Sequence, residues 1–158
     1  HTIAVLLHSS GVPFIAFDTD PRRVAQGRAD GYLVAYGDIS DPGLLAAIQV
    51  ERAPLVIITV DRPGAALRTI AYLRRVCPQV PVIARAPDLE TSTRLLEAGA
   101  VHAYPEAIEA SLRLGATALE MLQVPSEDID TLIYGVRAGG YKPVLQDDAE
   151  DAGESGSQ

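Results

Sequence analysis

Three acids stand where short apolar runs end. Asp18 follows Val12-Pro13-Phe14-Ile15-Ala16-Phe17, Asp38 follows Leu33-Val34-Ala35-Tyr36-Gly37, and Asp61 follows the run that closes on Thr59-Val60. A carboxylate at a strand end can accept hydrogen bonds from both vicinal hydroxyls of a ribose, which is how dinucleotide-binding α/β folds hold that sugar. Asp18 is the leading candidate for that task, with Thr19 beside it. Asp38 could accept from an adenine amino group, although as a turn acid ahead of a helix it needs no ligand at all. Asp61 has the right position too, but Asp-Arg-Pro-Gly is also an ordinary polar loop.

Arg85 raises a different question. It sits between Ala84 and Ala86 at the end of an apolar strand, where a charge needs a partner. A phosphate, a carboxylate such as Glu106, an acidic effector or a purely structural ion pair would each serve. No catalytic grouping accompanies these residues. The chain has no nucleophile elbow and no metal-ligand spacing, and Lys142, its only lysine, lies close to the end. Binding, rather than chemistry, is the default.

The elements that must carry these residues alternate. A helix over Ile3–Leu7 ends at Ser9-Ser10-Gly11, and strands are expected over Pro13–Phe17 and Leu33–Tyr36. Asp20-Pro21 and Asp41-Pro42 are helix starts, an acid cap followed by proline at the first helical position. Pro54–Val60 is a continuous apolar, β-branched run, as in a parallel strand covered on both faces. A helix over Gly64–Val76, a strand over Val80–Ala84, a helix over Leu89–Ala98 and a short strand at His102–Tyr104 follow. Glu106–Leu122 is the longest amphipathic helix, and Ser126 opens another that runs to about Arg137. The pattern predicts an α/β fold, a Rossmann-like, doubly wound, mostly parallel sheet with a helical extension.

Composition narrows the class. A chain of 158 residues suits one domain, and no apolar stretch reaches the span of a bilayer. The single cysteine, Cys77, excludes an internal disulfide and reads as a structural thiol before Pro78. Five acids (Asp147, Asp148, Glu150, Asp151, Glu154) crowd an acidic, Gly/Ser-rich tail expected to be disordered, which leaves 16 acids against 13 bases in the body. A mildly acidic body with no Trp is a poor nucleic-acid binder. The domain reading is residues 1–124 for the Rossmann-like part, 125–145 for the helical extension and 146–158 for the tail.

Taken together, the motifs resemble the TrkA-N or RCK (KTN) nucleotide-binding regulatory domains of potassium transport, above all those of Kef-type potassium efflux and cation:proton antiporters. The resemblance is carried by Gly11–Asp20, Tyr36-Gly-Asp-Ile-Ser40 with Leu44-Leu45, Ile83-Ala-Arg-Ala-Pro-Asp88, Leu95-Leu-Glu-Ala-Gly-Ala100, and Pro105-Glu106 with Glu109-Ala-Ser-Leu112. It covers roughly residues 1 to 145. The finish after Leu122 is similar to the short helical end of the antiporter branch, not to a β-rich second domain.

The resemblance implies an adenine nucleotide (AMP, ATP or NAD(H)) with its ribose on Asp18. Asp38 and Ile39 would surround the adenine, with Val60 and Asp61 lining the pocket. Arg85 and Glu106 would lie on the phosphate or effector side, Arg85 being the residue to test for glutathione. It further implies a homodimer and an attached membrane transport domain at the cytoplasmic face of a bacterial inner membrane. One departure is plain. The family's first strand and its Gly-x-Gly-x-x-Gly turn belong immediately before the position of His1, so a gap is expected in the sheet and weakened nucleotide binding with it. Two other readings remain open: a fragment of an NAD(P)-dependent oxidoreductase, and an assembly module with a non-functional pocket.

Overall fold

The computed structural model describes residues 1–59 and 61–141. Val60, Lys142, the last residues of the expected extension and the acidic tail lie outside the described residues. Within them the chain forms two compact units, one reaching from His1 to Pro105 and the other beginning at Glu106.

The first unit alternates helix and strand: α1 (Thr2–Ser9), β1 (Ala16–Asp18), α2 (Pro21–Ala29), β2 (Val34–Tyr36), α3 (Pro42–Ala47), β3 (Val56–Ile58), α4 (Pro63–Val76), β4 (Val82–Ala86), α5 (Leu89–Ala98) and β5 (His102–Pro105). The helix starts read from sequence form as expected. The Asp20 carboxylate accepts from the Arg22 N–H at 2.9 Å, and the Asp41 carboxylate accepts from the Gly43 N–H at 2.9 Å. Each satisfies an amide that the first helical turn leaves without a partner.

All pairing is parallel, in two separate sheets. One holds β1 and β2, with Asp18 opposite Tyr36; the other runs β3-β4-β5, with Ile58 opposite Ala84 and Arg85 opposite Tyr104. Among the described residues no ladder joins β1 to β3. That is the gap expected where a first strand would lie. Strands 1 and 3 are also shorter than the apolar runs that encode them, because a strand extends only as far as a neighbour pairs it. Among the described residues of the run Pro54–Val60, Val56–Ile58 is strand, and burial is complete at Ile58.

The core gathers on the three-stranded sheet. Ile58, Val82, Ala84 and Ala86 meet Ile70 and Leu73 of α4 and Leu95 of α5, and Cys77 is buried among them as the structural thiol expected. Leu45 of α3 and Val50 join this cluster. A 3₁₀ turn over Val50–Arg52 was not foreseen, and it starts from Gln49 in the left-handed region (φ 55°). Two glycines permit close approach. A Cβ on Gly37 would lie 2.8 Å from Leu44 Cδ2, and one on Gly99, whose φ is 120°, would lie 2.6 Å from the Arg74 side chain.

The second unit is a helix pair, α6 (Glu106–Met121) and α7 (Ser126–Ala138). Arg137 donates from Nε and Nη2 to both Glu109 carboxylate oxygens at 3.0 and 2.7 Å, and the Tyr141 hydroxyl donates to Oε1 at 2.6 Å. The Arg137 guanidinium holds the Glu109 carboxyl below its usual pKa, against an opposing push from burial. The two units part at Glu106, whereas the sequence reading drew its boundary at residue 124, between the two helices.

Candidate functional site

The site is built on the carboxyl edges of the strands. Asp18 is the last residue of β1, and its backbone carbonyl accepts from the Gly37 N–H at 3.0 Å. This parallel bond sets the Gly37-Asp38 turn beside Asp18. The same edge of the larger sheet carries Asp61, in the loop after β3, and Arg85, one residue short of the end of β4. In open α/β sheets this edge is where ligands bind.

Asp18 is not a bare carboxylate. The Arg23 Nε donates to Oδ2 at 2.8 Å and Nη2 donates to Oδ1 at 2.9 Å, a bidentate fork, while the Asp20 N–H donates to Oδ1 at 2.8 Å. The guanidinium bond is the main cause of a lowered Asp18 pKa; burial opposes it, and the Asp20 amide adds to it. Arg23 responds in the opposite sense, its pKa raised by the bond to Asp18. Sequence reasoning missed this pair. The signal was there: Asp20-Pro21 begins α2, so the third helical residue turns back over the strand end it has just left.

Asp38 is held by its own turn. Its Oδ1 accepts from the Ser40 hydroxyl at 2.7 Å and from the Ser40 N–H at 2.9 Å. The hydroxyl bond leads in lowering its pKa, the amide follows, and Arg62 and Arg68 add attraction at longer range. Thr19 is exposed between Asp18 and the α2 cap. Ile39 packs against the core, and its carbonyl accepts from Thr69 Oγ1 at 3.3 Å. The loop before α3 is thereby anchored to α4.

Arg85 has found a carboxylate. Its Nη2 donates to the Thr59 carbonyl at 2.8 Å and to Asp61 Oδ1 at 3.1 Å. The Arg85 side chain is 41% exposed and that of Asp61 82%, so the pair is open to solvent and can be exchanged at low cost. Asp61 also attracts Arg23 electrostatically, so the Asp18–Arg23 and Asp61–Arg85 pairs share one charged neighbourhood. Val60 lies outside the described residues, and Glu106 opens the second unit as the first residue of α6.

The expected residues of the first unit that can be described therefore fall on one edge, as two acid–arginine pairs and one turn-held acid. Such an edge can accept donors from a sugar or a base at its acids and can take anions at its arginines. Among the described residues no cluster of three or more His, Cys, Asp or Glu could hold a metal ion, and no helix is long and apolar enough to cross a membrane.

Comparison with known proteins gives a consistent picture. The TrkA-N domain profile matches residues 1–105. The chain is 35% identical over 144 residues to a putative K(+) efflux antiporter KefB of Alkalimonas amylolytica, which covers 91% of this chain and 22% of that protein. It is 38% identical over 121 residues to the glutathione-regulated potassium-efflux system protein KefC of Cronobacter sakazakii, covering 77% of this chain and 20% of that protein. The chain thus spans about a fifth of the length of these relatives. Among solved structures, the Shewanella denitrificans Kef C-terminal domain in its AMP-bound form superposes with a TM-score of 0.73 at 25% identity, over 89% of this chain and 88% of that one. The TrkA-N domain of the Escherichia coli inner membrane protein ybaL shares the fold, with a TM-score of 0.65 at 24% identity over 77% of this chain and 87% of that one.

Proposed function

The chain belongs to the TrkA-N family, and from that premise we propose that it is the ligand-sensing domain of a potassium/proton antiporter. It binds an adenine nucleotide at the carboxyl edge of its sheets and gates ion efflux. It acts by binding, not by catalysis. The observation that carries this reading is Asp18 at the end of β1 with the Gly37-Asp38 turn hydrogen-bonded beside it. The AMP-bound Kef domain of similar fold supports the choice of ligand.

In this reading Asp18 takes the ribose, with Thr19 next to it, while Asp38 and Ile39 flank the adenine. Val60 and Asp61 line the pocket. Arg85 and Glu106 serve the phosphate or effector side, and the exposed Asp61–Arg85 pair opens to admit an acidic effector such as glutathione. A ligand shifts a transporter only by binding one of its arrangements more tightly than another. That difference arises between two copies of the chain, each attached to a membrane transport domain at the cytoplasmic face of a bacterial inner membrane. Leu114, Met121, Leu122, Leu132 and Tyr134, all exposed on the second unit, suit such a homodimer.

Calorimetric titration with AMP, ATP, NADH and glutathione tests the proposal. Saturable binding of at least one adenine nucleotide is expected, with glutathione binding weakened in Arg85→Ala. Absence of binding by every nucleotide would refute the sensor reading. Hydride transfer from NADH to a substrate would replace it with an enzyme.

A further inference from the structure

The Asp18–Arg23 pair has a consequence for which ribose this edge accepts. A ribose diol presents two hydroxyl donors to both oxygens of one carboxylate. Arg23 presents two N–H donors to the same two oxygens, at 2.8 and 2.9 Å. Oδ1 carries the Asp20 amide as well. The guanidinium and the diol are therefore rivals for one two-point surface.

The rival is built to move. The Arg23 side chain is 62% exposed against 27% for Asp18, so the pair is of the surface kind, worth little net free energy. A second carboxylate stands within reach, since Arg23 Nη1 lies 3.8 Å from Asp20 Oδ2. Arg23 can pivot toward Asp20 and keep a carboxylate partner while the diol hydroxyls take its place on Asp18.

Charge decides the other half. An isolated strand-end carboxylate repels a phosphate placed on the ribose 2′-oxygen, whereas a nearby arginine accommodates one. Arg23 cancels the charge of Asp18, and its planar fork matches a phosphate as well as it matches a carboxylate. We propose that Arg23 is the specificity-determining residue of this edge: a free 2′,3′-diol must displace it from Asp18, whereas a 2′-phosphate recruits it. The edge is thereby made tolerant of adenosine 2′-phosphates. This rests on Asp18 being the ribose-binding residue.

The test is titration of the chain, Arg23→Gln and Arg23→Lys with AMP and with adenosine 2′-phosphate, the fold of each checked by circular dichroism. Arg23→Gln should tighten AMP about two- to fivefold by removing the rival of an exposed pair. The same change should weaken adenosine 2′-phosphate by about tenfold, the scale of a lost charge-assisted contact. Arg23→Lys keeps the charge but loses the fork, so AMP should tighten while adenosine 2′-phosphate stays within about threefold. An unchanged ratio of the two affinities in Arg23→Gln would overturn the role of Arg23 and leave the ribose reading of Asp18 standing. Absence of both ligands from all three proteins would overturn both.

Discussion

The two sheets of the first unit are built alike and held differently. Strands β3, β4 and β5 lie against α4 and α5, and Ile58, Ile70, Leu73, Val82 and Leu95 are lost almost entirely from solvent. In the β1-β2 sheet every residue of β1 is only half-buried, α1 has no buried residue, and the buried side chains are Val24 and Val34. Both sheets nevertheless end in the charged edge that forms the candidate site. The Asp18 side of that edge stands on the lightly packed sheet, and the Asp61–Arg85 side stands on the packed one. Elements that respond to ligands are drawn from the less stable parts of a fold. This division of the core gives the candidate site one firm wall and one yielding wall.

The strongest challenge to the comparison is a pair of truncations. Leu73→Ala should cost about 2–5 kcal/mol, the range for emptying a fully buried site. Val34→Ala removes two methylene equivalents and should cost about 1.5 kcal/mol. Denaturant melts of both variants measure the difference, and equal losses would erase the contrast between the sheets. Hydrogen exchange sharpens it further. Amides of β4 should exchange only through the largest openings, while those of β1 and β2 should exchange through smaller local ones. Uniform protection across all five strands would argue for a single cooperative unit.

The smallest effect is in pH. Asp18 and Glu109 both have pKa values lowered on folding, chiefly by Arg23 and Arg137. Stability from a lowered carboxyl pKa is present in full above the unfolded value, about 4, and is lost as pH falls through the lower folded value. Acid should therefore weaken the protein below about pH 4. Arg23→Gln should remove the part of that slope due to Asp18, seen as a rise of the Asp18 pKa toward its ordinary value in a carboxyl-detected NMR titration. A pKa unmoved by the substitution would show that Arg23 does not hold Asp18 in solution.

Much of this was legible in local chemistry. Asp20-Pro21 and Asp41-Pro42 mark helix starts because an acid cap and a proline act within one turn, and both caps form as read. The absence of a ladder between β1 and β3 among the described residues was expected from the resemblance. What stayed hidden was set by partners far away or by side-chain direction. Strand 3 was read over the whole run Pro54–Val60, whereas among the described residues only Val56–Ile58 pair with β4, a register that residue order alone does not show. Arg85 clearly needed a partner, but choosing Asp61, 24 residues distant, required the β3–β4 register. The Arg23 fork lay only five residues from Asp18, yet it depends on how α2 leaves the strand. Nothing in the residue order alone distinguishes a carboxylate waiting for ribose from one already clasped.

The role proposed for the Asp18 carboxylate is to hold the ribose of an adenine nucleotide. Calorimetric titration of AMP into the chain and into Asp18→Asn tests it most directly. Saturable binding by the parent chain and a loss of about tenfold or more in the variant are expected, since a hydrogen bond to a charged group is worth about 1.5–3 kcal/mol. Equal affinity of the two proteins for AMP would contradict it.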